Sequence, residues 1–335
     1  MREIGFVYKN KCHPVTQTFA NSIDAKPYRI TGPIHAIWQG LTTPTHKYYF
    51  VESVMSMLLP ITKRMLGNNV TIIFRGNDGL FGETATAAYL ATKNPIKKYI
   101  LLFLIKNMDG ISVEAEPQKA EVAQWTKAPI EVSESYVENK EYLENIKPNL
   151  NTNTFLFIGA YRPPYDHKNI EQLIEIFNNK EMQEYKIIII GKDTEELKQK
   201  AKENIQILDF VENKDEYYKQ ATYYIHLPKY EAGPITILEA MTAGLIVITN
   251  TNAGHHNVIE EVRKECVIEG FPPKEEMIKR IKKISNFSQR EKQKITETFK
   301  KLGASHYNKA EMTEKFQKIW EKLITRIEKQ EKGSE

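Results

Sequence analysis

The C-terminal half of this chain alternates short, continuously apolar runs with helical stretches and shows no hairpin signal between them. The apolar runs are TFLFIG (154–159), KIIIIG (186–191), IQIL (205–208), TYYIHL (222–227) and LIVIT (245–249). Between the first two, NIEQLIEIF (169–177) sets Ile170, Leu173, Ile174 and Phe177 at the i, i+3, i+4, i+7 spacing of an amphipathic helix. TEELKQKAKE (194–203), KDEYYKQA (214–221) and PITILEAMTA (234–243) read as helices too. A strand that is apolar at every position is covered on both faces, and strands that alternate with helices pair in parallel. The pattern therefore predicts an α/β fold built on a parallel sheet wrapped by helices.

The N-terminal half gives a fainter version of the same plan. IGFVY leads, followed by a helix near 15–23, PYRIT, HAIW, a helix near 51–66, VTIIF (70–74), and ILLFLIKN running into MDGISV (108–113). A chain of 335 residues exceeds the size at which one core stops growing, so two domains are expected. Pro and Asn cluster in ENIKPNLNTNT (144–154), which places the domains at 1–150 and 151–335. Beyond about residue 274 the chain is helical and strongly charged. In the last helix, 309–331, Met312, Phe316, Ile319, Trp320 and Leu323 form one apolar stripe that must dock on something.

Composition narrows the partners. With 47 basic against 43 acidic residues the net charge is only +4, a mixed surface that argues against nucleic acid and suits anionic small ligands or loose contact with acidic lipid equally well. The two cysteines, Cys12 and Cys266, fall in different halves, which argues against a disulfide framework or a cysteine zinc site and for a reducing compartment. MREIGFVYKNK has no signal-peptide core, and YILLFLI (99–105) is too short to span a bilayer. A cytoplasmic protein without its own membrane anchor is expected.

Ligands of open parallel sheets bind beyond the carboxyl ends of the strands. Three segments fall there: GAYRPPYDHKN (159–169), GKD (191–193) and KYEAGP (229–234). In the last, Gly233 suits a helix cap and Pro234 a first helical position, so the N–H groups of Ile235 and Thr236 would open the helix as an anion site. Glu231 and Glu239 flank that site and would repel a phosphate, so hydroxyl groups are their better partners. A sugar nucleotide, with a phosphate bridge between two hydroxyl-rich ends, satisfies all three elements. Spacing alone fits equally a solvated loop glutamate and an exposed helix glutamate. His255 and His256 are adjacent, no HExxH or DxD motif occurs, and no metal site is expected. Such a histidine pair is expected to be solvated.

The run from Phe155 to Glu260 resembles the C-terminal domain of retaining glycosyltransferases of family 4, proteins of two Rossmann-like domains facing a central cleft, the GT-B fold. Their Glu-x7-Glu segment has the form EGFGLPLLEAMAAG followed by PVIAT and a Gly-rich turn. Here EAGPITILEAMTAG lies in register without a gap, followed by LIVIT and NAGHHNVIEE. The resemblance implies that Glu239 holds the ribose of a donor nucleotide and Glu231 contacts the transferred sugar. The strand-end Gly159 and the backbone of Gly233, Ile235 and Thr236 would lie near sugar and diphosphate, and Lys168 would neutralise the departing diphosphate. The family's Arg directly follows the strand-end glycine; Ala160 stands there, and Arg162 is the nearest substitute.

The N-terminal half departs further from that family. IGFVYKNK lacks the family's glycine pair, Arg75 stands where a cleft histidine is usual, and Glu114 replaces a serine in MDGISVEAE. The resemblance still implies a retaining transferase that moves a sugar from a nucleoside-diphosphate sugar to an acceptor hydroxyl on a glycan, a lipid-linked acceptor or a small molecule. The N-terminal domain would be the acceptor side, with Arg75 a cleft residue, and the last helix would cross back to it. Neither metal nor cofactor is implied, and contact is expected, if with any membrane, at the cytoplasmic face. Two alternatives stay open: an epimerase of the same fold, and a non-catalytic scaffold that keeps a sugar-nucleotide site.

Overall fold

The structure, a computed structural model, describes residues 3–76, 95–161 and 166–332. The chain divides into two compact units, one of Met1–Ser135 with Ala310–Glu335 and one of Tyr136–Lys309. The division at Ser135 comes earlier than the Pro/Asn-rich stretch suggests. Val137, Leu143 and Ile146 already belong to the second core, and the Val137 N–H donates to Tyr307 O (3.2 Å) within that unit.

The second unit holds one parallel sheet of six strands: β7 (Thr154–Ile158), β8 (Lys186–Ile190), β9 (Ile205–Leu208), β10 (Tyr223–His226), β11 (Ile246–Asn250) and β12 (Val267–Ile268). Their spatial order is β12-β11-β10-β7-β8-β9, so the chain winds outward from β7 to β9 and then returns to β10 on the other side. β7 and β10 are neighbours, and the sheet changes winding direction between them. Every residue of β7, β10 and β11 is buried, which explains their continuous apolar reading. The stretch 194–203 is not an α-helix; Glu195–Lys200 forms only a short 3-10 segment.

The first unit repeats the architecture with β1 (Ile4–Lys9), β2 (Lys26–Ile30), β3 (Tyr48–Val51), β4 (Thr71–Gly76), β5 (Gly110–Val113) and β6 (Ile130–Val132) in the order β2-β1-β3-β4-β5-β6, all parallel. Here HAIW is not a strand. It lies inside the helix Pro33–Thr42, and the strand is YYFV, of which the helix expected near 51–66 takes in only Val51. That helix is itself shorter, Leu58–Met65, after a 3-10 turn at Val54–Met57. Residues 310–332 are helical and belong to this unit. Phe316 stacks on Phe19 (4.5 Å between centroids, 4° between planes), and Trp320 meets Phe50 edge-on at 5.6 Å. Lys322 and Arg326 close the contact on Glu131 at 2.8 and 2.6 Å.

Candidate active site

The second unit's sheet brings the carboxyl ends of β7 and β10 together at its change of winding direction, the place where ligands of open α/β sheets bind. Two glycines let neighbouring segments approach closely there. A Cβ on Gly191 would lie 1.9 Å from Gly159 O, and one on Gly159 would lie 2.7 Å from Lys168 Cδ. The Lys168 side chain thus passes directly over Gly159. Its base is fixed by Asp166, whose Oδ2 accepts from the Glu171 N–H (2.9 Å), and by Asn169 in a left-handed conformation. The Lys229 N–H bonds His167 O (2.7 Å) and ties this loop to the one after β10.

Lys168 Nζ is hydrogen-bonded and ion-paired to Glu231 Oε1. The other carboxylate oxygen accepts from Nε2 of His226, the last residue of β10, at 2.6 Å. His226 is fully buried, its ring stacked near Phe157 (5.5 Å) and Tyr224 (6.3 Å). Burial holds its pKa below the ordinary value although Glu231 pulls it upward, and against an ionised carboxylate, which only accepts, Nε2 is the donor. Burial alone would raise Glu231, but the positive charge of Lys168, reinforced by His226, outweighs it and holds the carboxyl well below the usual range. The backbone of Glu231 is clamped as well: its N–H donates to Asn252 O (3.1 Å) and its carbonyl accepts from Gly254 N–H (2.9 Å). Its side chain nevertheless keeps 21% exposure, with 15% for Lys168.

Immediately beyond lies the helix Ile235–Ala243. Pro234 is its cap rather than its first residue, with ψ of 102°, so the helix starts one position later than the sequence suggests and Gly233 lies outside it. The N–H groups of Ile235 and Thr236 still head the helix, as an anion site requires. Tyr224 Oη donates to Thr236 Oγ1 (2.7 Å), which holds that first turn on β10. Farther along, Glu239 Oε2 accepts from Tyr218 Oη (3.0 Å) and pairs with Lys214 Nζ (3.0 Å).

The structure therefore gathers Gly159, Lys168, Glu231 and the helix start with Thr236 at one sheet end, and places Glu239 about one turn farther along the same helix. Arg162 lies outside the described residues. Arg75 belongs to the first unit, where it is completely buried. Its Nη2 pairs with Glu114 (3.2 Å), its Nη1 donates to Ser133 Oγ (2.5 Å), and its guanidinium lies 4.8 Å from the Phe19 ring. His255 is not solvated; it is 1% exposed, and burial lowers its pKa to about 4. Among the described residues no group of three His, Cys, Asp or Glu could hold a metal ion.

Sequence reasoning missed His226, Lys214 and Tyr218. A histidine closing an otherwise apolar strand was the available signal for the first. The other two sit at the cap of the short helix Asp215–Gln220 and within it, and nothing in their spacing points at a residue more than twenty positions away.

Residues 138–301 match the family model described as glycosyl transferases group 1. The matched stretch spans all but the ends of the second unit and contains Gly159, Lys168, His226, Glu231 and Glu239. Over the whole chain the fold is that of GT-B glycosyltransferases. Sucrose-phosphate synthase from Thermosynechococcus elongatus aligns with a TM-score of 0.73 at 11% identity, over 97% of this chain and 100% of that one. HepE of Anabaena in complex with UDP-glucose gives 0.71 at 11% identity, over 96% and 100%. WaaG, a glycosyltransferase involved in lipopolysaccharide biosynthesis, gives 0.63 at 14% identity, over 93% and 98%. No curated protein matches the chain.

Proposed function

We propose that this chain is a retaining glycosyltransferase whose second unit binds a nucleoside-diphosphate sugar. The observation that carries the reading is the Lys168–Glu231–His226 cluster beside the start of the helix Ile235–Ala243, within the group 1 glycosyltransferase match. A diphosphate seated at that helix start meets the N–H groups of Ile235 and Thr236 and the ammonium of Lys168. Glu231, held anionic by its neighbours, faces the sugar that the diphosphate carries, and Glu239 takes the ribose hydroxyls. That one of the similar structures holds UDP-glucose supports a donor of this class.

In the reaction the bond from the anomeric carbon to the diphosphate oxygen breaks and the acceptor oxygen bonds that carbon from the same face. The acceptor proton passes to the departing diphosphate, so no protein base is needed. The positive charge that develops at the sugar is met by the Glu231 carboxylate and the negative charge of the leaving group by Lys168 and the helix start. These fixed charges do the work that a divalent cation does elsewhere, and the reading is of metal-independent chemistry.

Two variants test it. Glu239→Ala should lose about 1.5–3 kcal/mol of nucleoside-diphosphate affinity with the fold intact. Glu231→Gln should bind the same nucleotide as wild type does and transfer sugar slowly. Calorimetry with UDP, GDP and ADP, paired with product formation over an acceptor panel, reads both. Equal nucleotide affinity in all three proteins, or wild-type transfer by Glu231→Gln, would overturn the assignment.

A further inference from the structure

The Glu231 carboxylate has two holders, and they differ in freedom. Lys168 reaches Oε1 on a long, partly exposed side chain, and among the described residues its ammonium has no other partner. His226 reaches Oε2 at 2.6 Å from inside the sheet. It closes β10, which runs between β7 and β11, and its side chain has no exposed surface. Its ring lies nearly parallel to those of Phe157 (5.5 Å, 17°) and Tyr224 (6.3 Å, 20°), and its carbonyl accepts from Thr249 Oγ1 (2.8 Å). The turn from His226 to Glu231 is fastened as well. Asn250 Nδ2 donates to the Pro228 carbonyl (2.9 Å), the Lys229 N–H to His167 O (2.7 Å) and the Glu231 N–H to Asn252 O (3.1 Å). The imidazole is thus fixed, and a carboxylate bonded to it is fixed with it. Nδ1 of the same ring is buried and meets no hydrogen-bond partner among the described residues. A proton placed there would lack an acceptor, so the ring is a standing Nε2 donor and not a proton shuttle.

This division matters once a diphosphate is bound. Lys168 is then drawn from Glu231 towards the leaving group, on which charge builds as the bond to the sugar breaks. That movement releases Oε1 to face the sugar. A carboxylate held by the lysine alone would swing after it, whereas one bonded through Oε2 to a buried ring keeps its place. We propose that His226 is the positioning residue of the site and fixes Glu231 towards the sugar while Lys168 serves the diphosphate. The inference rests on the glycosyltransferase reading above and gives His226 no contact with the substrate.

The test is a cycle of His226→Leu, Glu231→Gln and the two combined, with UDP-, GDP- and ADP-glucose as donors. Turnover is read as transfer over an acceptor panel and as donor hydrolysis, and nucleoside-diphosphate affinity by calorimetry. His226→Leu should lower kcat about 10-fold or more, with donor KM and diphosphate affinity little changed. In the Glu231→Gln background the same change should lower the rate no further, because His226 acts only through the carboxylate. His226→Gln, whose amide can donate from the place of Nε2, should recover most of the rate, and His226→Asn, too short to reach Glu231, should not. That last pair decides the matter if His226→Leu melts far below wild type. Equal rates for the Gln and Asn variants, equal losses in both backgrounds of the cycle, or wild-type turnover by His226→Leu would each overturn this inference and leave the transferase reading standing. Wild type that binds a nucleoside diphosphate but neither transfers nor hydrolyses any donor brings down that reading, and this inference with it.

Discussion

Both units place a cation–carboxylate pair at the carboxyl end of a parallel sheet, and the two pairs differ in what surrounds them. In the first unit Arg75 has no exposed surface, and its partner Glu114 also accepts from Ser135 Oγ (3.2 Å). In the second unit the cation is a flexible lysine draped over a glycine, its partner is 21% exposed, and a helix start stands beside it. A pair whose cation has no exposed surface and whose carboxylate keeps only 10% serves its own fold first. A pair with one face open can lend its charges to a ligand. The comparison also explains two departures from the resembling family at once. Arg75 in place of a histidine and Glu114 in place of a serine are the two halves of one buried ion pair, and neither is tolerable without the other.

The largest expected effect breaks the sealed pair. Arg75→Met strands the Glu114 carboxylate in the interior and should cost about 3–5 kcal/mol, read as a lower urea midpoint. Arg75→Met/Glu114→Met removes both charges and should recover most of that loss. A double variant no more stable than the single one would show that Arg75 matters through packing on Phe19 and not through the pair.

The open pair should behave the other way, with function moving and stability hardly changed. Lys168→Ala should lower turnover on the order of 10²-fold, because the ammonium counts most as charge builds on the leaving group. Donor affinity should fall much less. If turnover is unchanged while the melting temperature drops, Lys168 is a structural partner of Glu231 and the contrast between the two units collapses.

How far each unit could be read from the sequence follows from the same difference in surroundings. β7, β8, β10 and β11 are almost wholly buried, so hydrophobicity alone outlines them, and the helix Ile170–Phe177 buries the four residues its periodicity picks out. In the first unit that signal misleads. HAIW is apolar because the helix Pro33–Thr42 exposes an apolar face, and an exposed apolar face reads like a buried strand. The spacing of Glu231 and Glu239 was visible, as was the lysine in HKN. What those carboxylates touch was not, because Lys214 and Tyr218 reach Glu239 through the tertiary fold and His226 meets Glu231 only through the way the chain turns after β10. The burial of Arg75 was invisible for the same reason, since its partner lies in another strand's loop and not nearby in the chain.

The smallest expected effect concerns His255, which refines the account of the open pair's surroundings. The residue follows the Gly254 N–H that bonds the Glu231 carbonyl, and its ring meets Tyr307 edge-on at 6.3 Å. Burial is the main cause that lowers its pKa from 6.5 to about 4; His256 acts in the same direction and Glu231 in the opposite one. In the folded chain the ring therefore stays neutral where the unfolded chain takes up a proton. Above pH 6.5 both states are neutral and the residue contributes no pH dependence; as pH falls from 6.5 toward about 4 the unfolded state gains protons that the folded state refuses, and stability declines. Near pH 5 the loss should reach no more than about 2 kcal/mol. His255→Gln removes this titration, so the acid side of its stability curve should be shallower than that of wild type while the two remain close at neutral pH. Urea midpoints measured across that window decide the matter. Parallel acid limbs in the two proteins would mean that the ring takes up its proton without leaving the fold, and that the turn behind Glu231 is open to water.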